Sequence, residues 1–204
     1  MKIRTVLFCP LAAGLLIAAG SSASGQDKGA GDAAMQEAMK KMTEQATPGD
    51  AHKKLDVLAG TWDATMTIWM DGPDKPPVVT KGKTSYKWIL GGRFLEEDAA
   101  GEMMGQPYTG LGILGYDNMN KKYTMLWVDN TSTANYTADG TADPMGITLT
   151  YFGKMDEPVT GERGKTVKYV LRVLGKDKHV FEIHDLSMPE AATKMVEISY
   201  TRAH

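Results

Sequence analysis

The chain has 204 residues, 42% of them hydrophobic and 24% charged, with a formal net charge of −2, which is ordinary usage for one globular domain with a real core. Without a basic excess, its charge argues against a nucleic-acid footprint. Its single cysteine, Cys9, leaves the rest of the chain without disulfides, thiolate catalysis or cysteine metal sites.

Lys2 and Arg4 precede the apolar run "VLFCPLAAGLLIAAG", and "SSASG" follows it. This is the anatomy of a secretory signal peptide cut near Gly25. A transmembrane span usually needs about 20 uninterrupted apolar residues, and this run is broken by Pro10 and two glycines. A lipoprotein would carry its cysteine at the end of the run, whereas Cys9 lies ahead of most of it. Residues 1–25 are therefore expected to be removed. The mature chain keeps 21 basic and 25 acidic side chains, has no stable membrane span, and is expected to be periplasmic or secreted.

Residues 26–49 are expected to form a tether followed by one amphipathic helix. Gln26 to Gly31 are small and polar. In "DAAMQEAMKKMTEQA", Met35, Met39 and Met42 recur at helical spacing, Asp32 can cap, and Pro48-Gly49 ends the run. Methionine stripes of this kind usually fill space rather than hold metal. A second short helix, Asp50 to Leu58, sets Leu55 and Leu58 on one side and stops at Gly60.

From Gly60 to the end, residues 50–204 being read as one domain, the hydrophobic period is two. Trp62, Ala64, Met66, Ile68 and Met70 alternate with polar neighbours, and "VVTKGKTSYKWIL" puts Gly82, Thr84, Tyr86 and Trp88 on one face. Further strands are expected over Arg93 to Ala100, Tyr108 to Asp117, Lys122 to Asp129, Ala134 to Asp139, Gly146 to Phe152, Thr166 to Leu174, His179 to Met188 and Thr193 to Arg202. "GG" at 91, "DNMN" at 117, "DG" at 139 and "GKD" at 175 read as turns. Ten short sequentially connected strands in one sheet would leave two long unpaired edges. The economical fold is all-β, an antiparallel up-and-down barrel.

Closure puts the first strand beside the last, "MVEISYTR", and so sets Trp62 against Arg202, a guanidinium over an indole. A Gly-x-Trp at the head of the first strand with an arginine ending the last resembles the lipocalin-like, or calycin, barrels. Together, "LAGTW", "LGGRFLEE", "GQPYTGLGILGYDNMNKKYTMLWVDN" and "MVEISYTR" resemble the bacterial domain of unknown function 1579, over roughly His52 to Arg202. That resemblance implies a barrel and an exported location. It implies no activity.

Two hairpin registers follow from the pattern. Folding through "DNMN" sets Leu114 opposite Met125, Gly112 opposite Trp127 and Gly110 opposite Asp129, so that Gly112 leaves room for the indole. Folding through "MPEAA" sets Phe181 opposite Tyr200, Ile183 opposite Ile198 and His184 opposite Glu197.

Sequence motifs for chemistry are sparse. His52, His179, His184 and His204 show no metal-ligand spacing, so no metal site is expected. There is no GxSxG, and "GLGILG" leads into a strand rather than a helix. Nitrobindins, related small barrels, hold haem through a histidine. Here only His179, near the rim, is a candidate for an inward histidine, and no cofactor is expected. If one face of the fourth and fifth strands points inward, Trp88, Arg93, Tyr108, Trp127 and Asp129 would line a cavity needing partners or a ligand. The rival is a core ion pair or rim contact. "AGEMMGQP", with Met103 and Met104, is either a pliable lid or a plain hairpin tip.

The leading expectation is a binding module for a small hydrophobic or aromatic molecule. Isomerase, cyclase or hydrolase chemistry on a buried carboxylate, with Asp129 near Arg93, is the second, and a ligand-free envelope protein acting through surface contacts is the third. Oligomeric state is left open.

Overall fold

The computed structural model describes residues 27–70, 75–157, 160–190 and 193–204. The signal-peptide expectation lies outside them. Chain contacts divide into two units, 1–41 and 42–204. Helix α1 (Asp27–Ala46) starts earlier than expected, so Asp27 to Gly31 are helical rather than a tether. Met35, Met39 and Met42 are exposed on it. Among the described residues no helix is long and apolar enough to cross a membrane.

Past α1, the expected second helix is split into α2 (Asp50–Lys53) and a 3₁₀ turn (Asp56–Leu58). Ten strands follow: β1 (Gly60–Ile68), β2 (Val78–Ile89), β3 (Phe94–Met103), β4 (Gln106–Asp117), β5 (Lys122–Asp129), β6 (Tyr136–Ala142), β7 (Thr148–Met155), β8 (Lys165–Gly175), β9 (Lys178–Asp185) and β10 (Lys194–Arg202). Each pairs antiparallel with its sequence neighbours, and β1 pairs with β10 to close the barrel. Closure leaves no sheet edge unpaired.

At the seam Trp62 is the Cα partner of Arg202. The guanidinium carbon lies 4.1 Å from the centre of the Trp62 ring. Nη1 and Nη2 donate to the Ala59 and Val57 carbonyls at 2.9 and 2.8 Å, and Nε donates to the Lys176 carbonyl at 2.9 Å. The indole is fully buried and donates from Nε1 to the Leu58 carbonyl at 2.7 Å. Gly60 sits at φ +121°, and a Cβ there would stand 2.7 Å from Arg202 Nη1. The Gly-x-Trp spacing thus leaves a lane for the arginine. With Leu55 and Leu58 buried beneath it, Trp62 plugs this end of the barrel.

Most expected boundaries hold within two or three residues, and the departures have local causes. β3 and β4 run further because Met104 and Gly105, both at positive φ, make a tight two-residue turn between Met103 and Gln106. The "AGEMMGQP" segment is therefore a hairpin tip. Asp139-Gly140 is not a turn but lies inside β6, where Gly140 faces Tyr151; a Cβ on it would meet the Thr150 carbonyl oxygen at 1.9 Å. The chain reverses instead at Asp143, whose carboxylate accepts from the Ile147 and Thr148 amides at 3.0 and 3.1 Å.

The β4–β5 register is the expected one, residue for residue. The β9–β10 register is shifted by two: Tyr200 faces His179, Ile198 faces Phe181, and Val196 faces Ile183. A bulge between Lys194 and Val196 shifts the pairing by one further residue at the mouth end. A two-residue slip keeps every side chain on its face, so the interior is unaltered, but His184 loses Glu197 as its partner. It sits 3.2 Å from Glu182 Oε2 instead.

Trp62→Ala is expected to destabilise by about 3 to 5 kcal/mol, the usual range for a buried large aromatic. Arg202→Ala, which loses the ring contact and three carbonyl bonds, should cost about 2 to 4 kcal/mol. Urea unfolding checks both. Midpoints within error of wild type would place the indole outside the core.

Candidate functional site

Burial changes along the barrel axis. At the plugged end Trp62, Leu95, Leu149, Tyr151 and His179 are almost wholly buried. Toward the other end, the mouth, inward residues on one side of the barrel stay half-buried, among them Met66, Ile68, Tyr108, Trp127 and Ile198, while Val167, Tyr169 and Asp185 on the β8–β9 side are buried. The plug thus makes the interior a cup open at one end.

A cavity of about 60 Å³ is bordered by the inward Glu97, Ala99, Tyr108, Trp127, Ile198 and Tyr200 and, across the Gly82–Gly101 pair of the wall, by the outward Lys81, Lys83 and Glu102. It has room for roughly two water molecules or one small polar head group. A larger open trough, about 780 Å³, lies along β4 to β7 and includes the outward Ile113, Leu126 and Phe152.

Glu97 is the acid of this cavity. β3 alternates Leu95, Glu97 and Ala99 inward, and Glu97 sits between Tyr86 of β2 and Gly112 of β4. Tyr86 Oη donates to its Oε1 at 2.9 Å. Protein surrounds the carboxyl on all sides, yet the side chain keeps partial access through the cavity. Burial pushes its pKa from 4.5 up to about 7, against the opposing pull of the Tyr86 hydrogen bond. Burial also raises the Tyr86 and Tyr200 phenols, and the Glu97 charge adds to both shifts.

The five residues singled out from sequence are only partly brought together. Tyr108 and Trp127 line the cavity. Asp129, one inward step beyond Trp127, accepts from the indole Nε1 at 2.9 Å and from the Thr131 hydroxyl at 2.5 Å. It closes a rim turn and does not border the cavity. Trp88 points inward near the plug, where its Nε1 donates to Asp56 Oδ1 at 2.8 Å. Arg93 is exposed in the turn before β3, and its Nη1 donates to the Leu90 carbonyl at 3.0 Å. The pairing ladder sets Phe94 level with Thr124 across β4, and Asp129 lies five residues further, about 17 Å along the wall. Asp129 and Arg93 therefore make no pair.

The glycines of β4 make room for the cavity wall. A Cβ on Gly110 would stand 2.2 Å from the Trp127 ring, and one on Gly112 would stand 3.0 Å from Glu97 Oε2. Both Trp127 and Glu97 need these vacancies.

Sequence reasoning missed Glu97 as a site residue. Its signal is an acid at an inward position of "FLEEDAA", and the inward Tyr86 and Tyr200 come from neighbouring strands at the same depth.

His179 faces inward but is sealed at the plugged end. Its ring stacks on Tyr200 with centroids 4.2 Å apart, meets Trp62 edge-on at 4.3 Å, and borders neither cavity. Neither ring nitrogen has a hydrogen-bond partner among the described residues. Burial, reinforced by the Arg202 charge, lowers its pKa from 6.5 to about 3. Among the described residues no group of three or more His, Cys, Asp or Glu is placed to hold a metal ion.

Residues 47–202 match the family described as "Protein of unknown function (DUF1579)". The chain belongs to that family. No curated protein matches this DUF1579 chain. Among solved structures it is similar to Rv2717c from M. tuberculosis, with 13% identity, a TM-score of 0.56, and coverage of 78% of this chain and 100% of that one. That likeness shows the fold alone. A redesigned β-barrel, b11L5F_LGL, matches at 17% identity over 74% of the DUF1579 chain and 96% of its own, with a TM-score of 0.38. Another, mFAP0 bound to DFHBI, matches at 16% identity over 72% and 99%, also at 0.38.

The two interior shifts predict opposite pH limbs. Glu97, at about 7 folded against 4.5 free, contributes stability that is present below pH 4.5 and lost as pH rises through about 7. His179, at about 3 against 6.5, contributes stability that is present above pH 6.5 and lost as pH falls toward 3. Glu97→Gln should therefore raise stability by about 2 to 3 kcal/mol at pH 8 and leave it unchanged near pH 4.5. His179→Phe should flatten the acid limb alone. Urea unfolding across pH checks both, and curves parallel to wild type would contradict them.

Proposed function

We propose that the chain is an exported binding barrel whose open half takes a small apolar or aromatic molecule. The observation that carries this reading is the asymmetry of the interior. One end is plugged by Trp62, while at the other, partly accessible apolar and aromatic side chains surround a cavity with a few polar groups at its base, the usual composition of a ligand pocket. Tyr108 and Trp127 form its aromatic wall, and Glu97 with Tyr86 supplies the polar anchor. The cavity volume suits a ligand's head group, with the remainder lying in the mouth. Export is supported by the leader-like residues 1–25 and by the absence of cysteine from the rest of the sequence.

A second reading is favoured by one observation. A carboxyl that titrates near neutrality beside a phenol is suited to general acid–base work, so Glu97 could move a proton on a bound molecule.

Binding is tested by methyl NMR with toluene as probe. The shifts are expected on Met66, Ala99 and Ile198, inside the cup. Shifts confined to Ile113 and Leu126 on the outer trough, or none, would remove the binding reading. Export is tested by the intact mass of the full chain expressed in a bacterium: a periplasmic product lacking residues 1–25 supports it, and an uncleaved cytoplasmic product overturns it.

A further inference from the structure

We infer that the cup selects molecules carrying a basic nitrogen, an ammonium or amidinium group that docks on the Glu97 carboxylate while its apolar remainder lies against Met66, Trp127 and Ile198. This rests on the binding reading above and names the ligand class of that same site.

The Glu97 carboxyl is sparsely partnered. Among the described residues only Tyr86 hydrogen-bonds its carboxyl, through Oε1. The inward groups of the surrounding strands bring it no cation: Ala64 and Met66 come from β1, Thr84 and Tyr86 from β2, Tyr108 from β4, Trp127 and Asp129 from β5, and Ile198 and Tyr200 from β10. Lys81, Lys83 and Glu102 border the cavity from outward positions, and Lys83 is tied to Asp63 at 2.8 Å. The cations that do enter the interior are engaged elsewhere. Arg202 is held by backbone carbonyls at the plug, and Lys165 pairs with Asp185 at 2.5 Å.

An enclosed carboxylate without a cation is costly, so it either holds a proton or waits for a charged partner. A ligand ammonium supplies both the charge and the donors, in a charge-assisted hydrogen bond within a poorly hydrated site. The cavity of about 60 Å³ accommodates such a head group. The rings of Tyr108 and Trp127 beside it offer π faces that favour a cation. The Glu97 carboxylate repels a carboxylate ligand, so the same group rejects anions. The raised titration of Glu97 adds a sign: affinity for an ammonium rises as pH rises through neutrality, because the carboxylate forms, and falls again where the amine loses its own proton.

The test compares benzylammonium, benzyl alcohol and toluene, three probes of one shape, by methyl NMR and calorimetry on the mature chain and on Glu97→Gln. At about pH 8 wild type should bind benzylammonium about tenfold or more tighter than benzyl alcohol, the worth of one charge-assisted hydrogen bond. The preference should vanish in Glu97→Gln. Asp129→Asn should keep the preference. Between about pH 6 and about pH 8 the wild-type affinity for benzylammonium should rise while that for benzyl alcohol stays flat. If Glu97→Gln does not fold, that pH profile decides alone. Equal binding of the two polar probes, or a preference that survives Glu97→Gln, overturns the inference while toluene binding in the cup leaves the broader reading standing. No response to any of the three overturns both.

Discussion

The Arg202 guanidinium touches three separate stretches of chain: the Trp62 ring at the head of β1, the Val57 and Ala59 carbonyls before it, and the Lys176 carbonyl in the β8–β9 turn. A planar cation with donors along its rim can satisfy all of these at once. The buried indole fills the space beneath, its own N–H satisfied by Leu58. One contact thus joins the first strand to the last and seals one end of the cylinder. Everything proposed about the interior follows from that seal, because an aromatic-lined tube closed at one end is a cup.

Within the cup, apolar packing and polar chemistry are separated by depth. Near the plug the interior is filled by Leu95, Leu149, Tyr151 and the Trp62–His179–Tyr200 stack. One step up, Glu97 and Tyr86 stand where glycines on β4 leave the wall thin. A carboxyl so placed is destabilised when ionised, and groups shifted in this way cluster at functional sites. His179 is the counterexample within the same molecule: strongly shifted, but enclosed by rings with no cavity beside it. A shifted titration marks a candidate site only where space accompanies it.

How much was legible in the sequence follows from what a period of two encodes. Alternation groups the side chains that share a face, so the inward sets of β1 and β2 and the pairing of Trp62 with Arg202 could be read directly, whereas the fourth and fifth strands, apolar on both faces, left their inward side open. Alternation says nothing of depth. Arg93 and Asp129 have inward positions by parity, yet one precedes a strand at the plug and the other ends a strand at the mouth. The β9–β10 register could slip by two without disturbing a single face. Asp139-Gly140 looked like a turn because its dipeptide suits one, while the glycine is needed for the approach of β7. Glu97 was hidden among three consecutive acids, and only the closed barrel shows that the middle one faces Tyr86.

The seam itself is open to direct measurement. Backbone NMR of the chain should show cross-strand contacts linking Trp62 to Arg202 and Ala64 to Tyr200, with the intervening amides protected from exchange. Absence of those contacts, together with rapid exchange along β1 and β10 as two free edges, would contradict a barrel closed by Trp62 and Arg202, and the cup with it.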